Sequence, residues 1–149
     1  GGGSYQYDNL THTRVSEAPL NHVDIAPTTL GLCGLDIPDW MQGYDYSGAR
    51  RLDRKNARPE PDSAYIQLAV PTGHGDSIDK AWRGIVTRDG WKYVCFPGHD
   101  WLLFNLAEDP YEQVNLAHYP AHRNKRLQLR ERLGRWIVET GDSFQLPEA

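Results

Sequence analysis

Two histidine–carboxylate pairs are the first places in this chain where chemistry could be done. His22 and Asp24 stand two apart before an apolar run, and His74 and Asp76 stand two apart in the polar, glycine-rich segment PTGHGDSIDK. Imidazole and carboxylate together can ligate a metal or move a proton. A metal site needs a second ligand pair at useful spacing, and neither pair has one. His22 is therefore read as a hydrogen-bonding residue at a helix entry. His74 has no packing role in such a loop, so it is the candidate for contact with a ligand, its ring N–H donating to a ligand oxygen. The two thiols, Cys33 and Cys95, build no disulfide framework and are read as a free, buried pair.

Cations gather in two places. Arg50, Arg51, Arg54, Lys55 and Arg58 share a stretch whose only acid is Asp53, and such a rim would draw an anionic ligand inward. Arg123, Lys125, Arg126, Arg130, Arg132 and Arg135 crowd the last helical segment against Glu131 and are read as a solvated face. Neither cluster has the interleaved aromatics of a nucleic-acid site. Trp82, Trp91, Tyr93, Trp101 and Tyr111 are read first as packing residues. Trp101, beside His99 and Asp100 at a strand start, is also placed to stack on a sugar ring.

These residues need a scaffold, and the composition bounds it. The chain has 149 residues, enough for one domain with a real core. Its formal charge is -4, so nothing pulls it as a whole toward nucleic acid or membrane. The mean hydropathy of -0.66 is polar. Yet 39% of residues are apolar, with five Trp and eight Tyr, which is not a disordered composition. No run reaches the roughly 18 apolar residues of a membrane span. The chain opens on Gly1 without a Met, so its natural start is expected further upstream, and GGGS reads as a linker or a loop.

Periodicity supplies the elements. In NHVDIAPTTLGLCGL, Val23, Ala26, Leu30, Cys33 and Gly34 share one side of a helix. Asp24 can cap it, Pro27 fits its first turn and Gly34 stops it. Ile25 and Leu32 lie off that stripe, so this helix asks for apolar partners on more than one side. A long loop covers residues 37–61. Strands are predicted at 64–70, 81–87, 91–96 and 101–106, with Asp89-Gly90 as a hairpin turn. From Pro120 to Thr140 the chain is helical, with Leu129, Leu133, Trp136, Ile137 and Thr140 along one stripe. In LFNLAEDPYEQVNLA (103–117), Asp109-Pro110 makes a tight exit and Asn115 is read as the start of a helix.

Several of these strings together resemble one family. LFNLAEDPYEQVNLA is similar to the L-(Y/F)-(D/N)-L-x-x-D-P-x-E-x-x-N-L signature near the C-terminus of sulfatases of the alkaline phosphatase superfamily. NHVDIAPTTLGLCGL resembles that family's H-x-D-(I/L)-x-P-T-x-L-x-L-x-G helix. IPDWMQGYDYS resembles the loop that follows it, and WRGIVTRDGWKYVCF resembles its W/Y-K-Y hairpin. The likeness runs from about residue 14 to the end.

The resemblance implies an α+β fold: a small antiparallel sheet of about four strands packed by a C-terminal amphipathic helix, preceded by one helix that belongs to a larger α/β domain missing from this chain. It divides the chain into 1–36 (loop plus a helix at about 24–34, the end of the large domain), 37–63 (long loop) and 64–149 (C-terminal subdomain). It implies a sulfuric ester hydrolase whose calcium and formylglycine lie outside this chain, so that no catalytic residue is assigned here. Cys95-Phe96-Pro97-Gly98-His99 matches the family's C-x-P-x-R nucleophile motif in two places, but His99 stands where the motif has Arg. The implied partners are an N-terminal catalytic domain and a sulfated small molecule or glycan, with no nucleic acid and no membrane. In this family, loops of the C-terminal subdomain lean over the substrate pocket, which makes His74 a candidate donor to a sulfate ester or sugar hydroxyl. Two other readings stand beside it: a phosphonate or phosphate monoester hydrolase of the same superfamily, and a non-catalytic module that binds a partner or a glycan.

Overall fold

The structure, a computed structural model, describes residues 18–55, 59–70, 73–75 and 78–148. The N-terminal linker reading, Arg58 and Asp76 lie outside the described residues. The chain divides into two compact units, residues 1–62 and 63–149.

The first unit is built on helix α1 (Ile25–Leu32), entered through a 3-10 turn at His22–Asp24. The entry is a capping box: the Asn21 side chain accepts from the His22 N–H, and the Asn21 N–H donates to the Asp24 carboxylate. Gly34, at φ +72°, ends the helix in the left-handed region that glycine adopts without strain. The face α1 buries within its unit is the small one. Asp24, Pro27 and Gly31 are buried. A Cβ on Gly31 would fall 2.3 Å from Ser47 Oγ and 2.4 Å from Asp45 Oδ1, so the following loop closes on α1 only because residue 31 is glycine. The apolar side faces out, with Ile25 61% and Leu32 43% exposed. Beside it, Tyr44 and Tyr46 pack with Ala18 as a small core, their rings 4.7 Å apart.

The second unit is a four-stranded antiparallel meander, β1 (Ser63–Leu68), β2 (Trp82–Thr87), β3 (Trp91–Phe96) and β4 (His99–Asn105), in the order β1-β2-β3-β4. The β2–β3 turn is the predicted one, with Gly90 at φ +80°. The β3–β4 turn is Pro97-Gly98, and a bulge follows it. Val94 pairs with Leu102 and Cys95 with Asp100, so Trp101 is the extra residue on β4.

Helix α2 (Arg123–Glu139), led in by a 3-10 turn at Pro120–His122, covers one sheet face. Its Leu129, Leu133 and Ile137, four apart on one stripe, pack with Tyr65, Ile85, Tyr93, Cys95 and Leu103. Burying a side chain such as Leu133, with no exposed surface, contributes about 1.5–3 kcal/mol. The irregular tail joins this core through Phe144 and Leu146, and Leu146 seats over Gly134 of α2. The α+β architecture expected from the sequence is the one found. Among the described residues, no helix is long and apolar enough to cross a membrane.

Candidate functional site

The LFNLAEDPYEQVNLA run is a clamp on the edge of the sheet. Asp109 accepts from the Val114 N–H at 2.9 Å, and the surrounding backbone N–H groups, those of Gln113 and Val114 first, hold its carboxyl below the usual carboxylate range. Glu112 takes both its bonds from Lys92 of β3, at 2.9 Å each. Asn115 does not open a helix, contrary to the sequence reading. Its side-chain oxygen accepts from the Leu103 and Ala117 N–H groups and its amide donates to the Trp101 carbonyl, so it acts as one more rung on the outer edge of β4. The helix begins only after Tyr119, where Pro120 supplies its first turn.

Two polar networks lie on the helix side of the sheet, and the sequence reading missed both. Asp100 accepts from Arg130 at 2.8 Å through each oxygen and from the Tyr93 hydroxyl, with Arg126 Nε 2.9 Å away. Burial, together with the neighbouring thiol and carboxylate, pushes the Tyr93 phenol up, so it stays a donor. Asp142 accepts from Arg83 and from the Tyr65 hydroxyl, tying the tail to β1 and β2. The Arg83 hydrogen bond leads in holding Asp142 down, to about 2.

These contacts correct the reading of the basic residues. Arg126, Arg130 and Arg132 are not a solvated face: the first two hold Asp100, and Arg132 donates to Ser63 Oγ at 3.0 Å. In the long loop, Arg51 and Arg54 donate to the Leu32 and Leu35 carbonyls at the end of α1, and Arg54 also binds Asp45. Burial would raise the Asp45 carboxyl, but hydrogen bonds from Ser47 and Arg54 outweigh it and leave the group lowered. Arg50 and Lys55 remain exposed.

The candidate site residues separate rather than converge. His74 is exposed on the β1–β2 connection. His22 is exposed, while Asp24 is buried and also accepts from the Tyr44 N–H at 2.7 Å. Both cysteines are free, but they are not a buried pair: Cys95 is buried and Cys33 is exposed at the end of α1. Burial pushes the Cys95 thiol up to about 11, against the activation a nucleophilic thiol needs. Among the described residues, no three His, Cys, Asp or Glu lie together, and each buried carboxylate already takes backbone amides or an arginine. Trp101 stacks on Phe96 with centroids 4.6 Å apart, and His99 lies exposed beside them.

The arrangement has known counterparts. Residues 6–139 match the family model described as N-sulphoglucosamine sulphohydrolase, C-terminal. An ulvan-active sulfatase of Formosa agariphila is 31% identical over 128 residues, 86% of this chain. The chain spans 24% of that relative's length. The structure of a 2-O GAG sulfatase aligns with 94% of the chain and 30% of its own, at a TM-score of 0.71 and 18% identity. A protein solved with its substrate D-glucosamine-2-N,6-O-disulfate aligns over 80% of the chain and 24% of its own, at a TM-score of 0.65 and 24% identity. At these identities the two structures speak for the fold.

Proposed function

The chain belongs to the N-sulphoglucosamine sulphohydrolase C-terminal family, and from that membership we propose that it is the C-terminal part of a sulfuric ester hydrolase, supporting the fold and forming part of the substrate mouth. The observation that carries this reading is the family match along nearly the whole chain, with the clamp residues Asp109, Glu112 and Asn115 all spent on structure. Hydrolysis is assigned to an N-terminal catalytic domain, which holds the calcium and formylglycine expected of the family. Among the described residues, the carboxylates of Asp24, Asp45 and Asp100 are held by amides or arginines, so no step is routed through them. The outward apolar side of α1, with Ile25 and Leu32, is the surface this reading docks onto that domain, because buried there it would leave water.

The substrate class that best fits is a sulfated glycan. The relative above is named for ulvan, and one structural counterpart was solved on a sulfated glucosamine. Within the mouth, His74 is the residue assigned to substrate, its loop position leaving the ring exposed. The test is made in the full-length enzyme that carries this chain. Sulfate release from a sulfated oligosaccharide is expected, and His74→Ala is expected to lower kcat/KM about tenfold, the scale of one lost hydrogen bond to a charged group. Absence of sulfate release would overturn the hydrolase reading. Unchanged kcat/KM in the variant would remove His74 from the mouth.

A further inference from the structure

The sheet face opposite α2 carries an aromatic cluster that the clamp and the core do not use. Strand alternation puts Tyr93 and Cys95 toward α2 and Val94 and Phe96 away from it. On that far face Phe96 stacks on Trp101 at 4.6 Å and 27°, and Trp82 lies 6.4 Å from Trp101 at 58°. The β4 bulge creates this group, because the unpaired extra residue is Trp101 itself. The Pro97-Gly98 turn, with Gly98 at φ +80°, then sets His99 at the rim, 5.4 Å from the Phe96 ring. Lys80 Nζ stands 6.0 Å over the same ring. Both indoles are half-buried, and His99 and Lys80 are exposed.

The polar atoms at this rim are donors without acceptors. Among the described residues, neither indole N–H, the Lys80 ammonium nor the His99 imidazole has a hydrogen-bond or ion-pair partner. This sets the rim apart from the other networks of the unit, where Asp100 and Asp142 each gather their cations. Flat aromatic faces take the C–H faces of a pyranose ring, and free donors with a cation take its hydroxyls and an anionic substituent.

We propose that Trp82, Trp101, Phe96, His99 and Lys80 form a platform that binds a sulfated pyranose unit of the glycan, the ring lying on Trp101 and the sulfate facing Lys80. The proposal rests on the reading of this chain as part of a glycan sulfatase and adds the residues that hold the sugar. Trp101 is the central contact and Lys80 the charge contact.

The test is the KM-against-kcat split of the full-length enzyme on a sulfated oligosaccharide prepared from ulvan. Trp101→Ala is expected to raise KM about tenfold with kcat nearly kept, and Trp101→Phe to restore most of the loss, because a ring remains. Lys80→Met is expected to raise KM about threefold, and less at high salt. Melting temperatures check that the variants fold; if Trp101→Ala does not, Lys80→Met carries the test. KM within twofold of wild type in Lys80→Met, and in Trp101→Ala where it folds, overturns the platform. If the enzyme releases no sulfate at all, the hydrolase reading fails instead. Quenching of tryptophan fluorescence by the same oligosaccharide still reads the platform through Trp82, and wild-type binding by both Trp101→Ala and Lys80→Met overturns it.

Discussion

Lys92 on β3 holds both carboxylate oxygens of Glu112 at 2.9 Å, and Glu112 is, among the described residues, the non-glycine residue with a positive φ, 55°. The pair joins the middle of the sheet to the loop that leaves its edge, and it stands over a backbone conformation that side chains rarely adopt. Both partners are partly exposed, so the pair itself contributes at most about 1 kcal/mol. The backbone term is of similar size. Glu112→Gly is therefore expected to stay close to wild-type stability, losing the pair but relaxing the backbone. Glu112→Ala loses the pair and keeps the strain, and should be about 1 kcal/mol less stable than the glycine variant in urea unfolding.

Asp100 is the reverse case, a carboxylate enclosed with two arginines and a phenol under α2. Removing it leaves Arg126 with only the Ala117 carbonyl, Arg130 with only the Glu148 carbonyl, and Tyr93 without its carboxylate acceptor, in a largely buried seam. Asp100→Ala is expected to cost about 3–5 kcal/mol, the scale of an orphaned buried charge. The same unfolding measurement checks this, and a loss under 1 kcal/mol would show that the arginines find water or another acceptor.

Asp142 gives the chain a dependence on acid. Its folded carboxyl is held at about 2, below its ordinary value of 3.8, chiefly by Arg83. A depressed carboxyl stabilises the fold above the unfolded value and loses that contribution as pH falls toward the folded one. The stability advantage of wild type over Asp142→Asn is therefore expected to be full above about pH 5, and to shrink as the pH falls from 4 toward 2. Melting temperatures of the two proteins across that range measure it. A constant difference would remove Asp142 from the acid response.

The two thiols differ in access. Cys33 is exposed and Cys95 is fully buried with its thiol raised to about 11. A thiol reagent at neutral pH is expected to label one equivalent rapidly in the folded chain and the second only in denaturant. Mass spectrometry should place the first label on Cys33; early labelling of Cys95 would contradict the packing of β3 against α2.

What was legible in the sequence was what repeats locally. Asp89-Gly90 between two β-rich runs marked the central hairpin, and the spacing of Leu129, Leu133 and Ile137 marked the face of α2 that is buried. Asn115 was misread because Asn before an apolar pair is also how a helix can open, and only the position of β4 shows that its side chain completes a strand edge. The arginines of α2 looked solvated because Asp100, their partner, lies far back in the chain at a bulge with no local signature. The Arg83–Asp142–Tyr65 group is longer-range still, joining the tail to the first strand. His74 was legible as an unpacked polar residue, and its ring is exposed. The platform was only glimpsed at Trp101, because its other rings come from neighbouring strands.

On the proposed function, this chain supports and lines a sulfatase without carrying out the chemistry. This is tested most directly by incubating the purified 149-residue chain with an aryl sulfate in the presence of calcium and measuring released sulfate. No turnover above the buffer control is expected. Multiple turnovers by the chain alone would contradict it.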